Sequence, residues 1–531
     1  MTPMDPSLLP RMAAGVMVPL SAVESLGGLG IGEFPDLPRL CDWAAHCGLK
    51  LILLLPVLEA PPGESSPYSA LTSFALDLLY LRLDDAQEIA RSPLARRARE
   101  AKAFAREAAA LQAASRAHHG PTRALKWQVL DAAFQDWRAG VTRSAERDAA
   151  FQAFRAREQW WLSVHCRFQV LARLRGTLDW RQWPAAERDR TPDALAAVDR
   201  DHADDLLRLA FAQWLLDEQW QAARRHARAK GIVLMGDLPF GVATASVDVW
   251  CHAQDFDLTH TVGCPPDAFN EDGQEWGLPA PRWDVMASNG YRWWRARVRR
   301  TLELVDTVRI DHVIGLFRTF VIPLGKKGKD GRYVPADAAD QDRQGQAVLD
   351  ALLAEAGKDR LVAEDLGWPP PFLLPAIRAR DIPGYRVLRW VTPESSTQLM
   401  DPADYPECAL ATTGTHDTST LAAWWESELD QPQRDAILLA ASKGAETAAP
   451  GRLTDKVRRL LLRWVLAGRA RLVVLPVQDL FGWKQRFNLP GTVGPHNWTW
   501  RMPVAVEHLL ADKRTKVPST ELRDMIRDCG R

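Results

Sequence analysis

The feature that most constrains this chain is a series of short apolar runs that do not alternate with polar residues. Eight of them, at residues 15–20, 50–58, 231–240, 307–316, 360–367, 385–392, 408–417 and 471–480, are each six to ten residues long and rich in Val, Ile, Leu or Ala. A strand with one face in water alternates, whereas a continuous apolar run of this length fits a parallel strand buried on both faces. Between the runs, residues 36–47, 291–306, 344–356 and 454–466 carry helical periodicity. In 291–306, Trp294, Val298, Leu302 and Val305 share one face and arginines take the other. Eight buried strands alternating with helices predict an α/β fold, a (β/α)₈ barrel; a doubly wound parallel sheet is the alternative.

Two segments do not fit a plain barrel. Residues 84–230 are rich in Ala, Arg, Glu and Trp with little β-branched content, and they predict an inserted, mainly helical subdomain. Its run 94–116 is highly charged, as a solvated helical face would be. Residues 242–282, full of Pro, Gly, Asp and Trp, predict a long irregular loop after the third strand, and long loops in compact enzymes are usually functional. The expected organisation is therefore residues 1–83 as the first part of the barrel, 84–230 as the insert and 231–531 as the rest.

Composition narrows the function. Lys plus Arg and Asp plus Glu number 67 each, so the zero net charge points to neither nucleic acid nor a membrane surface as partner. The seven cysteines are scattered, odd in number and form no Cys-x-x-Cys pair, as free thiols in a reducing compartment would be. Met1 to Pro10 has no basic stretch leading into an apolar one, and the longest strongly apolar run, 51–58, is far short of a membrane span. A cytoplasmic protein without a signal peptide is expected. The 22 tryptophans suit either a core or sugars, whose apolar faces stack on flat rings.

The chemistry is at the ends of the runs. In Thr307-Val-Arg-Ile-Asp-His312, Arg309 and Asp311 point to the same side of a strand, because side chains alternate. In Leu361-Val-Ala-Glu-Asp-Leu-Gly367, Glu364 and Asp365 point to opposite sides, so only one can reach the barrel mouth. Thr412-Thr-Gly-Thr-His-Asp417 places His416 and Asp417 at a strand end, and Met235-Gly-Asp-Leu-Pro239 adds Asp237. Taken singly, each is as readily a buried ion pair or a helix cap as a site. Together they deliver four carboxylates to one rim, a costly pile-up of charge unless it is used. Glycosyl transfer uses such a set: a nucleophile, an acid that protonates the leaving oxygen, and further anions that steady an oxocarbenium-like transition state.

These residues resemble the amylomaltase family, the 4-α-glucanotransferases (disproportionating enzymes) of glycoside hydrolase family 77. The resemblance rests on Arg309-Ile-Asp-His312, Ala363-Glu-Asp-Leu-Gly367 and Thr413-Gly-Thr-His-Asp417. In order along the chain it also takes in Gly30-Ile-Gly32, Ser66-Pro-Tyr68, Gly236-Asp-Leu-Pro239, Ser246-Val-Asp-Val-Trp250, Pro265-Pro-Asp267, Gly273-Gln-Glu-Trp-Gly277, Asn488-Leu-Pro-Gly-Thr492 and Asn497-Trp498. The sequence departs from the family at Val313-Ile314 and at Phe74-Ala-Leu-Asp-Leu78. The resemblance implies that Asp311 is the nucleophile, Glu364 the acid/base and Asp417 the acid that stabilises a distorted sugar. It further implies that Asp237, Arg309, His312 and His416 hydrogen-bond the sugar at the cleavage point. Ser66, Tyr68, Gln274, Trp276 and Asn488 would line neighbouring subsites. The implied substrates are malto-oligosaccharides and other α-1,4-glucans, both as donor and as acceptor.

Two other readings stay open on sequence alone: an α-amylase-like hydrolase with the same barrel and carboxylates, and a glucan-binding protein with a dead site. The segments Asn488–Thr492 and Gly273–Gly277 favour transfer over hydrolysis, and an intact carboxylate set disfavours a dead site. No phosphate-binding glycine loop, zinc-spaced His/Cys set or dinucleotide fingerprint occurs, so no cofactor or metal is expected.

Overall fold

A computed structural model describes residues 9, 11–266, 271–392 and 399–531. Asp267 and all of Met1–Pro10 except Leu9, both discussed above, lie outside the described residues. Twelve strands are formed among them: β1 (Ala13–Val18), β2 (Leu51–Leu54), β3 (Val233–Leu238), β4 (Phe256–Cys264), β5 (Gln274–Pro281), β6 (Thr307–Ile310), β7 (Thr319–Pro323), β8 (Arg332–Val334), β9 (Leu361–Ala363), β10 (Gly384–Val387), β11 (Ala409–Thr412) and β12 (Leu472–Pro476).

Eight of them close a parallel barrel in the order β1-β12-β11-β10-β9-β6-β3-β2. Each falls on one of the eight apolar runs, with β1 starting two residues and β10 one residue before its run. The reason is visible in burial: every residue of β1, β2, β3, β6, β9, β11 and β12 is buried, so both faces are mostly apolar and charged exceptions such as Asp237 and Arg309 are paired. A fully buried Ile52, Val308 or Val362 contributes roughly 1.5–3 kcal/mol by leaving water. Because the strands are parallel, their C-terminal ends share one rim, and whatever follows those ends is brought together.

The expected helices form as Leu37–His46, Arg292–Leu304, Ala338–Ala356 and Asp455–Leu466. In Arg292–Leu304, Trp294 and Val298 are buried and Leu302 is partly so. Between β2 and β3 the longer elements are all helical, including His119–Arg138, Ala145–Arg175 and Ala203–Ala229. The charged run 94–116 forms two amphipathic helices, Pro93–Glu100 and Lys102–Ala113, whose buried contacts include Ala95, Phe104 and Leu111. Most of the tryptophan excess is structural: Trp43, Trp137, Trp214, Trp220, Trp250, Trp293, Trp294 and Trp425 are among the largest fully buried side chains.

Two expectations are corrected. Residues 242–282 are not a long irregular loop. They contain a helix, Val247–Cys251, and the antiparallel pair β4–β5, which belongs to a four-stranded sheet of order β5-β4-β7-β8. Prolines at 279 and 281 and register shifts between Asp257 and Thr261 and between Thr261 and Gly263 break the period of two that would have exposed the hairpin. Several apolar runs also continue past their strands. Residues 314–316 of the fourth run and 477–480 of the eighth turn helical, in Ile314–Phe317 and Val477–Phe481. A run buried on all sides carries no period from which to tell helix from strand.

Candidate active site

In the parallel pair β3–β6, Asp237 lies opposite Arg309, so both side chains enter the barrel interior from neighbouring strands. Nη1 of Arg309 donates to both carboxylate oxygens of Asp237, at 2.7 and 2.8 Å, and to Oδ1 of Asp311 at 2.9 Å. Nη2 of the same guanidinium stands 3.9 Å from Oε2 of Glu364. One cation therefore serves three carboxylates from three strands. Burial opposes its charge, but Asp237 and Asp311 outweigh that and hold the guanidinium firmly ionised.

Asp311 and Glu364 each follow immediately on the last residue of a strand, β6 and β9. The ladder carries on through them, since Asp311 N–H donates to the Leu238 carbonyl at 3.1 Å and Glu364 N–H to the Ile310 carbonyl at 3.0 Å. Glu364 turns inward, where its carboxylate accepts the backbone N–H groups of His312 and Leu366, both at 2.8 Å. Asp365 turns outward and accepts from Tyr385 N–H at 2.6 Å and Arg386 Nη1 at 3.2 Å, a structural role at the base of β10. Burial pushes the Glu364 carboxyl up to about 7; Arg309 and the two backbone donors oppose the rise and the Asp311 charge adds to it. Glu364 thus holds its proton near neutrality, as a general acid must.

Asp417 comes from the loop beyond β11, shaped by Thr415 and Thr418: Thr415 N–H donates to the Thr418 hydroxyl at 3.0 Å and Asp417 N–H to the Thr415 hydroxyl at 3.2 Å. Its carboxylate accepts from Asn488 Nδ2 at 2.6 Å and lies 3.3 Å from Nε2 of His416. Burial works against its ionisation, but the His416 charge and the hydrogen bonds from His416 and Asn488 prevail and bring the carboxyl down to about 2. Two carboxylates on one rim are thereby driven in opposite directions, which is the signature of divided acid and anion roles.

Tyr68 ties the rim together. Its hydroxyl donates to Asp237 at 2.6 Å and lies 3.2 Å from Nδ1 of His416, with the two rings stacked at 4.8 Å. Trp276 and Gln274 open β5, joined by a 3.4 Å contact from Nε1 to Oε1, and the Trp276 ring meets His312 edge-on at 5.0 Å. An open cleft of about 820 Å³ runs over this rim, lined by Ser66, Tyr68, Gln274, Trp276, Asp311, His312, Glu364, His416, Asp417 and Asn488. Asp237 and Arg309 sit behind that lining, both buried. All twelve residues singled out in the sequence are thus brought to one place. Residues 116–121, from between β2 and β3, also line the cleft.

Sequence reasoning missed two neighbours. Trp498 packs on Tyr68 at 5.6 Å and on His416 at 5.7 Å, and Arg486 donates to the Asp417 carbonyl. Trp498 stands in a quoted motif and was within reach; Arg486 had no local signal. Among the described residues no cluster of His, Cys, Asp or Glu could hold a metal ion.

The family model described as 4-alpha-glucanotransferase matches residues 18–507. The chain belongs to that family. A 4-alpha-glucanotransferase from Thermus thermophilus is 35% identical over 73% of this chain and 77% of its own. One from Chlamydia muridarum is 29% identical over 94% and 93%. Among solved structures, the amylomaltase from Corynebacterium glutamicum superposes with a TM-score of 0.80 at 26% identity, covering 97% of this chain and 75% of that one. The chain therefore shares its fold with that amylomaltase and aligns with these 4-alpha-glucanotransferases over most of their length, and the protein is an enzyme of that transferase class.

Proposed function

We propose that the enzyme transfers α-1,4-glucan segments between malto-oligosaccharides by a retaining double displacement on Asp311. The observation that carries this reading is the single Arg309 guanidinium reaching both Asp311 and Glu364, with Glu364 held near neutrality by burial. In the first step an Asp311 carboxylate oxygen attacks the anomeric carbon. The glycosidic C–O bond breaks, and the Glu364 proton passes to the departing 4-oxygen. In the second, Glu364, now a carboxylate, takes the proton of an acceptor's 4-hydroxyl while that oxygen displaces Asp311 from the anomeric carbon. Asp417, held as an anion by His416 and Asn488, would hydrogen-bond the distorted sugar and stabilise its developing charge. Ser66, Tyr68, Gln274, Trp276, His312 and Asn488 would contact sugars along the cleft, with Asp237 and Arg309 bracing them from behind.

A glycosyl fluoride tests the intermediate. It needs no protonation to depart, so Glu364→Gln given maltosyl fluoride should accumulate a maltosyl ester that peptide mass spectrometry places on Asp311, whereas Asp311→Asn should form none. An adduct elsewhere, or none in Glu364→Gln, would remove the covalent step. We further read residues 84–230 as an inserted helical subdomain, since the longer elements between β2 and β3 are helices. The thiols of Cys41, Cys47, Cys166, Cys251, Cys408 and Cys529 are free, which supports a reducing, cytoplasmic setting. Among the described residues no helix is long and apolar enough to cross a membrane.

A further inference from the structure

Arg297, in the helix Arg292–Leu304, is a buried cation without a contact carboxylate; the charges of Asp248 and Asp311 act on it only from a distance. It is 1% exposed and makes no ion pair among the described residues. Its guanidinium lies between two indoles, 4.3 Å from the Trp293 ring centre and 4.6 Å from that of Trp294. Nη2 donates to the Pro239 carbonyl and Nη1 reaches the Phe240 carbonyl at 3.4 Å, while Nε has no partner. Burying an unpaired cation is costly, and an apolar side chain of similar length would fill the same slot without that cost. What only a guanidinium does here is grip two consecutive carbonyls with a planar fork.

The gripped residues lead to the catalytic rim. Pro239 and Phe240 directly follow β3. The Phe240 ring packs on Trp294 at 6.0 Å and meets the His312 ring at 5.5 Å and 90°. His312 is the residue whose N–H donates to Glu364 and whose ring carries Trp276. Its backbone is left-handed, with φ of +47°, a conformation that a non-glycine residue keeps only when its surroundings impose it. Phe240 supplies part of that constraint. Gly315 leaves room for it, since a Cβ there would strike both the Phe240 and His312 rings.

We propose that Arg297 is a positioning residue for transfer: by clamping the Pro239–Phe240 turn it seats Phe240 against His312, and so sets both the hydrogen bond to Glu364 and the placing of Trp276. Arg297 touches no substrate and acts through these neighbours. The proposal rests on the roles of Glu364 and Trp276 given above, and its test separates the two.

Wild type, Arg297→Met, Arg297→Lys, Phe240→Leu and the Arg297→Met/Phe240→Leu double variant are compared as full chains on maltotriose, with folding followed by circular dichroism. Released glucose and new reducing ends give the ratio of transfer to hydrolysis, and kcat/KM is followed against pH. In Arg297→Met the ratio should fall about ten-fold, the scale of a small misplacement of reacting groups. The alkaline limb of kcat/KM should move up, because a weaker His312 N–H bond leaves the Glu364 proton harder to remove. Arg297→Lys, with a single donor head, should recover part of both changes. Phe240→Leu should move both in the same direction, and the double variant should add little to either single change, as residues on one path do. A folded Arg297→Met with the wild-type ratio and limb would overturn the proposal. So would losses that merely track the folded fraction. If Arg297→Met does not fold, Phe240→Leu decides on the same two readings. A wild type that raises reducing ends in step with cleavage would instead refute transfer, and the limb alone would then judge Arg297.

Discussion

The backbone N–H of His312, the residue that follows Asp311, donates to the Glu364 carboxylate at 2.8 Å. The strand end that carries Asp311 therefore orients Glu364, and the two groups cannot shift independently. Adjacent parallel strands make this possible: the β6–β9 ladder carries the end of one against the end of the other. The same bond stabilises the ionised form of Glu364, while burial favours the protonated one by a larger amount.

That balance sets a pH dependence. The Glu364 carboxyl is pushed up to about 7, and the first step of the proposed mechanism needs it protonated. For natural glucans kcat/KM should hold steady on the acid side and decline as pH rises through about 7, measured by glucose release from maltotriose. With a glycosyl fluoride, whose departure needs no proton, this limb should vanish. A limb common to both donors would assign the titration to another group.

Trp276 should decide where the intermediate goes. Water at about 55 M exceeds a millimolar acceptor by roughly fifty-thousand-fold, so transfer requires that acceptor binding offset about 6 kcal/mol. A ring on the cleft wall beside His312 can hold an acceptor and shield the site. Trp276→Ala should lower the ratio of transfer to hydrolysis more than total cleavage. An unchanged ratio would exclude the ring from acceptor binding.

Asn488 donates to Asp417 at 2.6 Å and helps keep that carboxyl low. A hydrogen bond to a charged group contributes about 1.5–3 kcal/mol, so Asn488→Ala should lower kcat about ten- to hundred-fold. Because Asn488 is only part-buried on a loop, the melting temperature should move little. A large fall in melting temperature with kcat preserved would give it a structural role instead.

Lys126 tests how the helices between β2 and β3 are fastened. It lies on His119–Arg138, is fully buried, pairs with Glu33 at 2.5 Å and donates to the Leu79 carbonyl. Removing one partner of a buried pair strands the other, at about 3–5 kcal/mol. Lys126→Met should lower urea stability by an amount near that range, softened because Arg82 also contacts Glu33. A loss below about 1 kcal/mol would mean that Arg82 neutralises Glu33 alone.

The amino-acid sequence by itself determined the barrel and the carboxylates on its rim. Strands buried on both faces are mostly apolar, so β1, β2, β3, β6, β9, β10, β11 and β12 announce themselves as apolar runs, and the few charged groups in them or at their ends stand out. Strand alternation also determined that Glu364 and Asp365 diverge. Only the tertiary structure decided which of them faces inward, because Arg386 and Tyr385, which claim Asp365, belong to the next strand. It alone revealed the hairpin of β4 and β5, whose shifted register erases the local period. It alone joined Arg309 to Asp237 and Glu364, Tyr68 to His416, and Arg297 to Phe240, pairs remote in sequence except where a ladder sets them side by side. Periodicity reports how each segment meets water; which segments meet each other is settled by barrel closure, and the polarisation of a carboxyl follows from that meeting.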